Sequence, residues 1–136
     1  MTLDDLLASQ PKTRRKPRDE EHRLQVQCVK WFRYAHPDLA PLLFAIPNGG
    51  ARNEITGAKL KAEGVVAGVA DLCLAVPRCG GVLFIEMKTP TGRQSQSQLQ
   101  WQAAVSIVGN TYVIIRTLED FISTINYYLN NYGTDR

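Results

Sequence analysis

The sequence lacks the features that would mark a membrane-spanning, secreted or disulfide-rich protein. It has no apolar run of roughly 18 residues, which argues against a membrane span, and its start shows no secretory signal pattern. Its three cysteines, Cys28, Cys73 and Cys79, are an odd number without a CxxC pair. They suggest neither a disulfide framework nor a zinc knuckle. We therefore expect a cytoplasmic protein with no membrane partner.

The charge is unevenly distributed along the chain. With 136 residues, the chain is most simply one domain with a core of its own. Residues 11–18 carry five of the 16 basic residues and no acid, whereas residues 19–136 contain equal numbers of basic and acidic residues. We interpret residues 1–18 as a basic, flexible arm and residues 19–136 as the folded domain. Such an arm would attract phosphates, but a solubilising tail explains it equally well.

Hydrophobic periodicity predicts alternating helices and strands. Helices are expected over 19–35, 95–108 and 117–129, with a short helix or ordered loop over 51–63. Strands are expected over 42–46, 71–76, 82–88 and 111–116, with turns at 47–50 and 77–81. Thr117 is a predicted N-cap. The order predicts an α/β protein with a mixed central β-sheet flanked by helices.

Two charged residues, Glu86 and Lys88, lie at the end of the predicted strand "GGVLFIEMK". Alternate residues of a strand share a face, so Glu86 and Lys88 should point to the same side. Asp71 opens the neighbouring strand, and antiparallel pairing would bring its carboxylate close to Glu86. Adjacent carboxylates repel unless a cation lies between them, and Mg²⁺ or Mn²⁺ suits oxygen ligands. The alternative is an ordinary Glu86–Lys88 ion pair with Asp71 as a local hydrogen-bond acceptor.

Several ordered motifs resemble a known nuclease family. The segments "EEHRLQVQCVKWF", "FAIPNGGAR", "GVVAGVADLCLAV", "GGVLFIEMK" and "GRQSQSQLQWQ" follow one another across residues 20–130. Together they are similar to the virus-type replication-repair nuclease (VRR-NUC) domain of the PD-(D/E)xK superfamily. The superfamily pattern has proline before the aspartate, where this chain has Ala70; this removes stiffness but no ligand. The resemblance implies a restriction-endonuclease-like core.

The resemblance also implies roles for individual residues. Glu20 and Glu21 both lie near the apolar stripe of the first helix, and periodicity cannot choose between them; the resemblance favours Glu21. Gln98 fits both a capping box with Ser95 and a place in the site. The implied metal ligands are Glu21, Asp71, Glu86 and the carbonyl of Met87, and the implied catalytic residues are Glu21, Asp71, Glu86, Lys88 and Gln98.

The resulting hypothesis is a Mg²⁺- or Mn²⁺-dependent DNA endonuclease, bacterial or phage-encoded, that is selective for four-way junctions or other branched DNA. A homodimer would present two sites to two strands. The alternatives are a less selective endonuclease of restriction-like or phage-accessory type and a non-catalytic nucleic-acid-binding module. The predicted nucleic-acid contacts are Lys12, Arg14, Arg15, Lys16, Asn48, Arg52, Lys59, Lys61 and Arg93.

Overall fold

The computed structural model describes residues 2–8, 16–47, 54–78 and 81–131. Five of the predicted nucleic-acid contacts therefore lie outside the described residues: Lys12, Arg14, Arg15, Asn48 and Arg52.

Five α-helices, one 3₁₀ helix and four strands make up the described part of the chain. The helices are α1 (Leu3–Ala8), α2 (Pro17–Ala35), α3 (Glu54–Ala62), α4 (Gln96–Ile107) and α5 (Leu118–Asn131), and the 3₁₀ helix is Pro37–Leu42. The strands are β1 (Leu43–Ala45), β2 (Leu72–Arg78), β3 (Gly81–Met87) and β4 (Thr111–Ile115). None of the helices in these described ranges is long and apolar enough to cross a membrane.

The strands form one mixed sheet in the order β1-β2-β3-β4. β1, β2 and β3 pair antiparallel, whereas β4 joins β3 in parallel after the crossover through α4. The β2–β3 register shifts between Leu74 and Arg78, where Pro77 has no amide hydrogen to contribute to the ladder. The predicted mixed α/β sheet is confirmed.

One face of the sheet packs into the hydrophobic core, and the other packs against α4. Leu83, Ile85 and Met87 of β3 are fully buried in a core that also includes Cys28 and Phe32 of α2. α5 completes this core with Leu118, Phe121, Ile125 and Tyr128. The alternate residues of β3 face α4, where Phe84 packs edge-on against Trp101 at 4.9 Å between ring centres. Alternation along β3 thus separates a dry core from the face that carries Glu86 and Lys88.

Local capping explains two helix starts. The amide of Asp120 donates to the Thr117 hydroxyl at 3.0 Å, as the predicted N-cap requires. The sequence analysis did not predict α1, which lies inside the proposed arm. Thr2 and Asp5 exchange hydrogen bonds from backbone to side chain at its start, and Leu3 packs against the core. Residues 3–8 of the proposed arm therefore form a helix.

Two smaller expectations differ from the structure. The predicted strand over 42–46 is only three residues long, and Phe44 is 46% exposed because β1 is an edge strand. Val108, the last residue of the predicted helix over 95–108, is 73% exposed because the helix ends at Ile107. Both errors arise because apolar spacing does not reveal what covers a residue.

Candidate active site

The ends of β2 and β3 bring Asp71 and Glu86 together. Leu72 pairs with Ile85, so the next positions along the two strands are Asp71 and Glu86. The Asp71 carboxylate accepts a hydrogen bond from the Met87 amide at 2.7 Å, which holds it against the end of β3. Burial raises the pKa of Asp71, while the Met87 amide and the Lys88 charge oppose that shift. The antiparallel hairpin thus places both carboxylates on one face, as the sequence predicts.

Glu86 is the most constrained group of the site. Only 2% of it is exposed; its Oε2 accepts a 2.8 Å hydrogen bond from Gln98, and the Lys88 ammonium lies 3.8 Å away. Its other oxygen, Oε1, is buried without a partner in the described part of the chain. Burial, followed by the Asp71 charge, raises the pKa of Glu86 to about 8, against the opposing effect of Lys88. An unpaired buried carboxylate oxygen is costly, and a cation would satisfy it.

The first turns of α2 supply Glu21 rather than Glu20. Burial raises the pKa of Glu21, the Lys88 charge lowers it, and Asp71 raises it again. The backbone of Thr89 also lowers the pKa of Glu21, so it lies close to this carboxylate. Glu20 is exposed and acts on this group only as a neighbouring charge. The structure therefore places Glu21 beside the other acids, the position that the resemblance implies.

Gln98 takes part in the helix cap and in the site at the same time. Its Oε1 accepts from the Ser95 amide at 2.8 Å, and its own amide donates to the Ser95 hydroxyl at 3.2 Å. Its Nε2 donates to Glu86, as described above. The predicted capping box is confirmed, and the same side chain contacts Glu86, because the two ends of its amide have different partners.

The acids lie at the base of a cleft of about 860 Å³. α3 and the loop over 64–69 form one wall, and the start of α4 forms the other. Lys61 lines the cleft, whereas the exposed Lys16, Lys59 and Arg93 do not. Lys88 is 7% exposed and lies beside the cleft, in contact with Glu86, rather than in its lining. Of the predicted phosphate contacts that the structure describes, Lys61 is thus the one that shares the cleft with the acids.

Comparison with known proteins identifies the fold. No protein-family model matches the chain, and no curated protein matches it. A solved structure titled "VRR_NUC domain protein" superposes with a TM-score of 0.74 over 85% of this chain and 93% of that one. This chain has the VRR_NUC fold. The sequence identity is 22%, so the comparison confirms the resemblance and the restriction-endonuclease-like architecture at the level of fold.

Three residues near the acids of this VRR_NUC fold were not found by sequence reasoning. Gly68 has φ +86°, and a Cβ there would lie 2.3 Å from the Ser97 carbonyl oxygen, so the loop touches α4 backbone to backbone. Thr89 is buried, and its backbone lowers the pKa of the neighbouring Glu21. Burial, followed by the Glu86 charge, raises the pKa of Tyr112 to about 12. Only Gly68 had a sequence signal, the run of small residues before Asp71; the others depend on tertiary contacts.

The donor set fits a hard divalent cation with few protein ligands. No three histidine, cysteine, aspartate or glutamate side chains in the described ranges are grouped as metal ligands. Two carboxylates are enough for Mg²⁺, which usually keeps several waters and takes one or two from the protein. The unpartnered Glu86 Oε1 beside Asp71 meets that requirement. Glu21 and the Met87 carbonyl stay predictions as further ligands.

Proposed function

We propose that this protein is a metal-dependent nuclease that hydrolyses phosphodiester bonds of DNA. The observation that carries the proposal is the buried, unpartnered oxygen of Glu86, at the base of a cleft shared with Asp71 and Glu21. The VRR_NUC name of the structural neighbour supports the reaction class. The raised pKa of all three acids supports a cation, because a positive ion would favour their charged forms.

Asp71 and Glu86 are the proposed holders of the ion, with Glu21 and the Met87 carbonyl as further ligands. When bound, a divalent cation lowers the pKa of a coordinated water and draws negative charge from a phosphate. Gln98 orients Glu86 by donating to Oε2, which leaves Oε1 for the ion. The orientation of this carboxylate is thus fixed before any ion arrives.

Lys88 is the proposed catalytic cation. Its ammonium lies 3.8 Å from Glu86 Oε2, a distance at which it attracts the carboxylate and keeps N–H groups for other partners. From there it can donate to the attacking water or to a phosphate oxygen whose charge grows in the transition state. Its low exposure, 7%, strengthens that interaction because little water screens it.

The proposed substrate is branched DNA, including four-way junctions, bound by a homodimer. Lys61 would neutralise a phosphate beside the scissile one, with Lys16, Lys59 and Arg93 further out and the residues of 12–15, Asn48 and Arg52 as additional contacts. Among the described residues Glu21, Asp71 and Glu86 share one cleft, so a two-fold dimer would present two such sites to two strands. Comparing cleavage rates on a mobile four-way junction and the matching duplex tests this; equal rates would favour a less selective endonuclease.

The reaction itself is tested with Mg²⁺ or Mn²⁺ on junction and linear DNA, using Lys88→Met and Asp71→Asn. We expect each variant to lose activity by about 10²-fold or more while remaining folded. Lys30→Met is the matched control, because Lys30 is exposed on α2 and outside the cleft. Full activity of Lys88→Met would show that Lys88 takes no part in the reaction.

A non-catalytic nucleic-acid-binding module is the second candidate. The observation that favours it is the lack, among the described residues, of three grouped metal-ligating side chains. Titration calorimetry with Mg²⁺ separates the two candidates, with Glu86→Gln as the comparison. Heat of binding that disappears in Glu86→Gln supports the nuclease; no metal-dependent heat from the intact protein supports the binding module.

A further inference from the structure

Arg116 donates hydrogen bonds to three backbone carbonyls in the segment that follows β3. One nitrogen, Nη1, donates to the carbonyl of Thr89 at 2.7 Å and to that of Gly92 at 2.8 Å, with a longer contact of 3.4 Å to Pro90. Arg116 immediately follows β4 and is half-buried. A charged donor makes stronger hydrogen bonds than a neutral one, so this one side chain holds the whole segment.

The segment is a tight turn whose own sequence favours closure. The Gly92 amide donates to the Thr89 carbonyl at 3.1 Å, the bond between the first and last residues of a β-turn. Pro90 and Gly92 occupy the second and fourth positions, where these residue types are preferred. A Cβ on Gly92 would lie 2.8 Å from the Thr89 hydroxyl, so the turn is close-packed.

The turn is joined directly to two groups of the candidate active site. It begins one residue after Lys88, whose amide donates to the Ile115 carbonyl at 3.0 Å. The Thr89 backbone lies close enough to Glu21 to lower the pKa of its carboxyl group. Thr89 is thus held at its carbonyl by Arg116 and lies beside Glu21.

We propose that Arg116 is a positioning residue, which fixes Lys88 and Glu21 by clamping the Thr89–Gly92 turn. The inference rests on the proposed nuclease function. The two hydrogens of Nη1 are used by its two short bonds to Thr89 and Gly92, so this nitrogen has none left for a DNA phosphate. Without the clamp, two partly buried carbonyls lose a charged donor and the turn can shift. A displacement of about 1 Å at reacting groups costs about 10²-fold in rate.

The kinetic test compares Arg116→Ala, Arg116→Lys and the control Arg33→Ala, since Arg33 is exposed in the last turn of α2. Saturation kinetics are measured on a DNA that the wild type cleaves with Mg²⁺. We expect kcat of Arg116→Ala to fall by about 10- to 100-fold with KM changed by less than about threefold. Arg116→Lys should be intermediate, and dilute guanidinium, below denaturing concentrations, should partly restore Arg116→Ala. An unchanged kcat, or a raised KM with unchanged kcat as expected for a phosphate contact, overturns the proposal.

Amide hydrogen exchange tests the clamp without activity. In Arg116→Ala, exchange at Thr89 and Gly92 should accelerate by about tenfold or more, while amides in the middle of α5 stay unchanged. Uniform acceleration would indicate general destabilisation and would count against a local clamp. If the wild type cleaves no DNA, the proposed function fails. The exchange measurement then tests by itself whether Arg116 fixes the turn, and unchanged exchange at Thr89 would refute that role.

Discussion

Replacing Glu86 by glutamine should make the metal-free protein more stable in alkaline solution. The carboxyl group is buried beside Asp71, which raises its pKa from an ordinary 4.5 to about 8. The folded protein therefore keeps a proton between about pH 4.5 and pH 8 that the unfolded chain has released. Stability contributed by the protonated form is fully present below about pH 4.5 and is lost as pH rises through about 8. Glutamine cannot ionise, so Glu86→Gln should not show this loss.

The size of the effect follows from the proton affinity. A tenfold change in affinity corresponds to about 1.4 kcal/mol, so a move in pKa from 4.5 to about 8 corresponds to roughly 4 to 5 kcal/mol at most. The site opens onto a cleft, and water entering it reduces the cost, so we expect about 2 to 4 kcal/mol. The pKa values of Asp71 and Glu21 are also raised. Each of these groups therefore also lowers the free energy of unfolding as pH rises, and this decrease persists in the variant.

The measurement is urea unfolding with a chelator present, at about pH 5 and about pH 8.5, for wild type and Glu86→Gln. The free energy of unfolding of Glu86→Gln, relative to that of the wild type, should increase from acid to alkaline pH. Glu119→Gln is the control for loss of a carboxylate, because Glu119 is exposed on α5. Added Mg²⁺ should stabilise the wild type at alkaline pH and leave Glu86→Gln unchanged. Parallel pH profiles for the two proteins would refute the raised pKa of Glu86 and with it the electrostatic argument for a cation.

Two further substitutions test how the surroundings of the site are built. Gly68→Ala should destabilise the protein by about 2 to 4 kcal/mol and reduce cleavage, because the new Cβ would meet the Ser97 carbonyl at 2.3 Å in a backbone conformation of φ +86°; an unchanged unfolding midpoint would contradict the close approach. Tyr128→Phe should cost about 1 to 3 kcal/mol, because its buried hydroxyl lies within hydrogen-bond reach of the carbonyls of Val76 and Gly81. In this second case cleavage should be unaffected well below the melting temperature, since Tyr128 lies on the core side of the sheet.

The regular elements could be predicted because they follow from local patterns. The apolar spacing of Cys28 and Phe32 predicts α2, and both side chains are fully buried. The hairpin predicts that Asp71 meets Glu86, because antiparallel register follows from two adjacent strands and a short turn. α1 could not be predicted from its periodicity, since its six residues are too few to show a repeat.

The tertiary contacts of the site could not be predicted in the same way. Arg116 lies 27 residues from Thr89, and no local pattern links a guanidinium to the carbonyls of a distant turn. The approach of Gly68 to α4 depends on where the loop runs across the sheet, which a run of small residues permits but does not specify. The approach of Asp71 to Glu86 was therefore predictable from the hairpin, whereas the long-range contacts that surround these acids and Lys88 were not.

Gln98 shows how a single side chain can cap a helix and contact a buried acid at the same time. Glutamine and glutamate both serve at the third position of a capping box, because either oxygen can accept from the Ser95 amide. Glutamate at this position, however, would add a fourth carboxylate to the site, at hydrogen-bond distance from Glu86 Oε2, where an amide now donates at 2.8 Å. The cap alone does not distinguish between the two residues, whereas the neighbouring acid does. Glutamine therefore fits both requirements, and the capping bond at Oε1 leaves Nε2 as the donor that faces Glu86.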